Sequence, residues 1–117
     1  MQDYRNIKAW RKSYDLVLKV YRSTERFPKH ELYGLTSQIR RAAVSIVSNI
    51  AEGSAKESDA DLGRYLEIAI GSACELECQL MLAGDLSYID GNACRSLGED
   101  VAELKRMLSA FIRVLRK

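Results

Sequence analysis

With 117 residues, 47% of them hydrophobic, one proline and no glycine-rich or proline-rich linker, the chain has the size and composition of one domain around one core, and residues 1–117 are expected to fold as a single unit. No apolar run approaches the roughly 20 residues of a membrane span, and the charged start at Asp3, Arg5 and Lys8 has no apolar signal core behind it, so a soluble, cytoplasmic protein is expected. The formal net charge of +2 conceals an asymmetry: residues 1–50 hold ten Lys/Arg against four Asp/Glu, residues 51–100 three against eleven, and residues 101–117 five against one, which suits either a basic face tracking phosphates or complementary surfaces joining subunits.

Ile7, Trp10, Tyr14, Val17, Tyr21 and Thr24 recur at alternating steps of three and four. They predict a first helix over about residues 5–26, ended at Phe27-Pro28 because proline disfavours the helical conformation before it. Leu16, Leu18 and Val20 fall off that seam. A second helix is expected from about Glu31 to residues 51–53, with Leu32, Leu35, Ile39, Ala42, Ile46 and Asn49/Ile50 facing the core and Gly53 suiting a C-terminal cap. Beside this seam run Gln38, Arg41, Ser45, Asn49 and Glu52 at heptad spacing. Ser and Asn are poor helix-interior residues, so their place in this stripe points to a packed, hydrogen-bonded seam rather than a solvated face.

Ser58 followed by Asp59 and Asp61 is an N-cap with acids in the first turn, opening a third helix that runs to about Leu86. Its core seam is Leu62, Leu66, Ala69, Ala73, Leu76 and Leu80, small enough in the middle for close helix approach. A second stripe, Tyr65, Ile68, Ser72, Glu75, Gln79 and Leu82, lies alongside, and Ile70, Cys74 and Met81 add apolar surface on the other flank. The fourth helix carries Leu97, Val101, Leu104, Leu108, Phe111 and Leu115 and starts beyond Asp90-Gly91-Asn92. No strand pattern competes, so the expected fold is all-α, an antiparallel up-down-up-down four-helix bundle. Apolar surface beyond what one bundle core needs predicts a homo-oligomer.

The block Phe27-Pro28-Lys29-His30-Glu31, Leu35-Thr36-Ser37-Gln38-Ile39-Arg40-Arg41-Ala42-Ala43 and Ser45 to Gly53, continued by Tyr65-Leu66-Glu67-Ile68-Ala69-Ile70-Gly71-Ser72-Ala73-Cys74-Glu75-Leu76, resembles the four-helix bundle proteins encoded in intervening sequences of bacterial 23S ribosomal RNA genes. Trp10 and Tyr21 fit that family's first helix, whereas Ile70 stands where the family pattern often has a basic or polar residue. The resemblance covers nearly the whole chain and implies a small helical bundle assembling as a ring, a homopentamer, with nucleic acid as a candidate ligand.

Function classes separate on residue inventory. There is no glycine-rich phosphate loop, no histidine near a nucleophile and no metal-ligand cluster in the sequence, so no catalytic residues, cofactor or metal site are assigned and a non-enzyme is expected. Cys74, Cys78 and Cys94 are expected to be free and buried. The candidate interaction seam comprises Gln38, Arg40, Arg41, Ser45, Asn49, Glu52, Ser72, Glu75 and Gln79, with Arg40 or Arg41 expected to pair with Glu75 or Glu52. The leading reading is a structural or adaptor assembly of identical chains. The alternative is a sequence-nonspecific RNA- or DNA-binding module whose basic strip combines Arg11, Lys12, Lys19, Arg22 and Arg26 of the first helix with Lys105, Arg106 and Arg113 of the fourth.

Overall fold

Local hydrogen bonding accounts for where each helix begins. In the computed structural model, which describes residues 3–117, a 3-10 turn at Tyr4–Asn6 leads into α1 (Lys8–Thr24), and a second at Lys29–Glu31 precedes α2 (Leu35–Ser54). The helices α3 (Asp59–Asp85) and α4 (Gly91–Leu115) complete an all-α fold. Ser58 Oγ accepts from Asp61 N at 3.1 Å and caps α3, with Asp59 and Asp61 at the positive end of the helix dipole as the spacing predicted. Asp90 caps α4 through Ala93 N at 3.3 Å, which starts that helix at Gly91, ahead of the expected position. The start of α2 is later than expected. Glu31 lies in the preceding turn and reaches forward, its Oε1 accepting from Leu35 N at 3.1 Å and its Oε2 from the Tyr88 hydroxyl at 2.9 Å. The backbone bond first, then the tyrosine bond, holds the Glu31 carboxyl below its ordinary pKa.

Contacts between helices fix their directions. Along α2, Arg41, Ser45 and Gly53 lie beside Glu75, Ser72 and Tyr65 of α3, so one numbering rises as the other falls. Glu67 and Glu77 of α3 pair in the same reversed order with Arg116 and Lys105 of α4. Lys12 meets Asp100 and Glu103 of α4, while Arg22, later in α1, and Arg26, just beyond its end, lie beside Ala93. The result is an up-down-up-down bundle measuring 44 × 22 × 20 Å, its long axis set by α3, whose 27 residues span about 40 Å.

All six residues of the predicted α3 seam are buried, and Ile39, Ala42, Ile46 and Ile50 of α2 and Leu97, Val101, Leu104 and Leu108 of α4 meet them. The buried face of α1 differs from the expected one. Leu16 and Val20 are fully buried with Trp10, Ser13 and Thr24, whereas Tyr14 and Tyr21 face outward. The helix is rotated by about one residue because Ser13 tolerates burial: its hydroxyl donates to the Trp10 carbonyl at 2.7 Å and needs no partner elsewhere. Leu32 is exposed, Phe111 and Leu115 are only partly buried, and Ile112 takes the last core position of α4.

Gly53 is not a cap. It lies within α2 with no left-handed φ, and a Cβ there would stand 2.7 Å from Tyr65 Cβ and 3.1 Å from Leu62 Cδ1. Its role is to let α2 and α3 touch. The cysteines correct another expectation, since Cys74 and Cys78 are exposed and Cys94 half-buried, all three free. Cys74 and Cys78 fall on the outward side of α3, away from the Leu62–Leu80 seam that fills the core.

Candidate interaction surfaces

The polar seam between α2 and α3 is hydrogen-bonded at its middle. Asn49 Nδ2 donates to the Ser45 carbonyl at 2.7 Å and to Ser45 Oγ at 3.1 Å. Ser45 Oγ in turn lies 2.8 Å from Ser72 Oγ. Ser45 Oγ thus accepts from Asn49 and shares a proton with Ser72, either hydroxyl being able to donate, which links α2 to α3. One heptad away in either direction, the same register sets Gln38 opposite Gln79 and Glu52 opposite Tyr65. Gln38 and Glu52 are exposed, whereas Gln79 is buried and its Oε1 has no partner among the described residues.

The two adjacent arginines diverge, as a 100° step round a helix requires. Arg41 reaches toward Glu75, Nη2 to Oε2 4.0 Å, in an exposed pair at the long limit of an ion pair, the kind that contributes at most about 1 kcal/mol. Arg40 turns to α1. Its Nε donates to Thr24 Oγ1 at 2.8 Å and its guanidinium lies over the Tyr21 ring, 4.7 Å from the centroid. The expectation of an arginine–carboxylate contact therefore holds at Arg41 with Glu75, and Arg40 takes a hydroxyl and an aromatic face instead.

The basic residues of α1 and α4 do not merge into one free strip. Lys12 lies 3.1 Å from both Asp100 and Glu103, Lys19 lies 3.0 Å from Asp100, and Lys105 lies 2.9 Å from Glu77. Asp100 and Glu103 occupy the α1–α4 seam itself, and Glu77 the α3–α4 seam. Burial works against charge on Asp100, yet the hydrogen bonds from Lys19 and Lys12 outweigh it and hold the carboxyl below its ordinary value. Burial likewise opposes the Lys12 charge and is overcome by Asp100 and Glu103, so that ammonium is held above its ordinary value. Arg11 lies over the Trp10 and Tyr14 rings. Arg22 and Arg26 flank a shallow groove beside Asp90, and Arg106 and Arg113 line a separate open groove of about 610 Å³ between α3 and α4, with Ile70 and Cys74 opposite.

Asp100→Asn is expected to cost about 1–2 kcal/mol at neutral pH, because it leaves two lysines without their shared carboxylate. A carboxyl whose folded pKa is depressed contributes fully above the unfolded pKa and loses that contribution as pH falls through the folded one. Urea midpoints of wild type and variant should therefore differ from about pH 5 upward and converge below about pH 4. A gap that persists unchanged in acid would trace the loss to something other than this charge.

Apolar side chains left in solvent mark both flanks of α2. On the α1 side stand Tyr14, Leu18 and Tyr21 of α1, Val44 of α2, and Leu32 with the 93% exposed Tyr33 from the intervening turn. Tyr21, Leu32, Tyr33 and Val44 line an open groove of about 460 Å³ together with Arg40 and Arg41. On the α3 side Ile68 and Leu82, each about half exposed, bracket Glu75 at heptad steps. Residue spacing placed Ile68 and Leu82 off the α3 core seam, where they are exposed, although Gln79 of the same stripe is buried. It assigned Tyr14 and Tyr21 to the core, and the signal that would have placed them outside was the alternative face through Leu16 and Val20, whose Ser13 and Thr24 return their hydroxyls to their own helix.

Among the described residues no group of three or more His, Cys, Asp and Glu is arranged to hold a metal, and no helix is long and apolar enough to cross a membrane. The sequence model of a family described as 23S rRNA-intervening sequence protein matches residues 5–110. Among solved structures, the chain is similar to a protein of unknown function from the S23 ribosomal protein family of Bacteroides thetaiotaomicron VPI-5482, with 27% identity and a TM-score of 0.83 over 89% of this chain and 97% of that one. No curated protein matches the chain.

Proposed function

Since this chain belongs to the 23S rRNA-intervening sequence protein family, we propose that it works as a non-enzymatic helical scaffold whose copies assemble through the two flanks of α2. The aromatic α1–α2 face of one copy seats on the α2–α3 face of the next. The observation that carries this reading is the pair of exposed apolar faces on either side of one helix, Tyr14, Leu18 and Tyr21 on one and Ile68 and Leu82 on the other. Their charges are complementary, with Arg11 and Arg40 at the aromatic face and Glu75 between the α3 aliphatics. A head-to-tail contact between unlike faces repeats from copy to copy and closes into a ring when the rotation permits. Five copies is the number that the family resemblance implies.

A second reading keeps RNA or DNA as the partner and is favoured by the open α3–α4 groove, where Arg106 and Arg113 have no carboxylate partner among the described residues. It is the weaker of the two, because Lys12, Lys19 and Lys105 are already bound to carboxylates of the fold and would have to exchange them for phosphates. Sedimentation equilibrium tests the scaffold directly. A mass several times the 13.2 kDa of one chain is expected, and a single-chain mass at every concentration would refute it. RNA binding by assembled protein, lost between about 50 and 200 mM salt and on Arg106→Glu with Arg113→Glu, would support the second reading.

A further inference from the structure

Where the chain turns from α1 to α2 it forms a partly open cavity of about 110 Å³, ample for more than one water. Phe27, Pro28 and Leu32 form its apolar walls, and Thr36, Arg40 and Lys29 supply polar groups. One of these groups has no partner and another has no counter-charge. Thr36 is 3% exposed and its Oγ1 has no hydrogen-bond partner among the described residues, a state that costs free energy which valine of the same shape would avoid. Arg40 is half-buried, and no carboxylate lies within ion-pair distance of it among the described residues.

Arg40 is nonetheless held in place. The Thr24 hydroxyl donates to the Val20 carbonyl at 2.8 Å, which turns its oxygen to accept from Arg40 Nε at 2.8 Å. The Tyr21 ring supports the guanidinium from one face at 4.7 Å. A guanidinium has five donors, and with Nε engaged and Nη2 only loosely directed at the Tyr21 carbonyl at 3.5 Å, the fork that matches two oxygens of an anion remains available. Thr36 lies in the first turn of α2, where the helix dipole adds to the positive potential. The opposing charges are Glu25, which also lines the cavity but is exposed, and Glu31, whose carboxylate already caps α2 at Leu35 N.

We propose that this elbow cavity binds a small oxyanion, a phosphate or a carboxylate group, with Arg40 and Thr36 as its direct ligands and Lys29 beside it. The hydroxyl and the guanidinium are then satisfied by the same ligand. Empty, the site costs stability; filled, it joins the end of α1 to the start of α2.

The test is thermal unfolding of the full chain in chloride, inorganic phosphate and acetate at matched ionic strength. One or both oxyanions should raise the Tm in proportion to the logarithm of concentration, as ligand linkage requires. Thr36→Val should melt roughly a few degrees higher than wild type in chloride, having lost an unpaired buried hydroxyl, and should bind the anion about tenfold more weakly. Arg40→Gln should lose the response, and because that change also removes the Thr24 bond, Thr36→Val carries the result if the arginine variant unfolds. A response to phosphate alone assigns the site to phosphate groups, and a response to acetate alone assigns it to carboxylates. No response to either anion, or a wild-type response in Thr36→Val, would overturn the proposal.

Discussion

Aspartate introduced at both Ile68 and Leu82 is expected to convert the assembled protein into single chains while leaving its helical content unchanged. These residues lie two heptads apart on α3, each about half exposed, on either side of Glu75. Neither belongs to the core seam, which is filled by Leu62, Leu66, Ala69, Ala73, Leu76 and Leu80, so the bundle itself loses little. Complete burial of one such aliphatic side chain contributes about 1.5–3 kcal/mol. A carboxylate in its place must also be stripped of water without a partner. Together the two changes should weaken association by about 3–6 kcal/mol, a factor of roughly 10² to 10⁴. Sedimentation equilibrium with circular dichroism separates the outcomes, and an unchanged mass would remove the α2–α3 face from the assembly.

Gly53→Val is expected to destabilise the bundle by about 3 kcal/mol. Tyr65 Cβ and Leu62 Cδ1 already stand where a Cβ at Gly53 would reach. Tyr65 Cβ is fixed to the α3 backbone, so rotamer changes cannot relieve the contact and α2 must move away from α3 over its last turn. That displacement would also strain the Ser45–Ser72 bond two turns along the same seam. Gly71→Ala provides the contrast, because nothing lies within 4 Å of a Cβ there and alanine is the better helix former by about 1 kcal/mol. Opposite shifts in the urea midpoint are predicted for the two glycines, and equal shifts would show that helix propensity rather than interhelical contact governs Gly53.

The parts of the fold that could be read from the residues are those in which one signal had no rival. In α3 the six-residue apolar seam, the Ser58 cap and the acidic first turn all agree, and the helix forms between the expected ends. In α1 two faces about one residue apart were both amphipathic. Tyr14 and Tyr21 looked like core beside the polar Ser13, but a serine that returns its hydroxyl to its own helix can be buried, and the outward tyrosines then carry the cation–π contacts to Arg11 and Arg40. The start of α2 was hidden because its cap is Glu31, a residue four positions ahead of the amide it satisfies, rather than a Ser or Asp adjacent to the helix.

The candidate surfaces divide in the same way. The Asn49–Ser45–Ser72 linkage was legible because residues that disfavour helices need a reason to lie in one. The neutralisation of Lys12 and Lys19 was not, since Asp100 is more than 80 residues away in sequence and only the antiparallel docking of α4 on α1 brings it there. A charge count by segment records how many basic groups a helix has and says nothing of which acids the neighbouring helix presents.

The head-to-tail contact between unlike faces is tested most directly by complementation of two disabled chains. One carries Tyr14→Asp and Leu18→Asp on the aromatic face, the other Ile68→Asp and Leu82→Asp on the α3 face, and the mass of each alone and of their equimolar mixture is measured by sedimentation equilibrium. Each alone should be a single chain, and the mixture should give a species of two chains, because one intact face of each kind remains and only one contact can form. Either variant retaining the wild-type mass, or a mixture that stays as single chains, would contradict the proposed assembly.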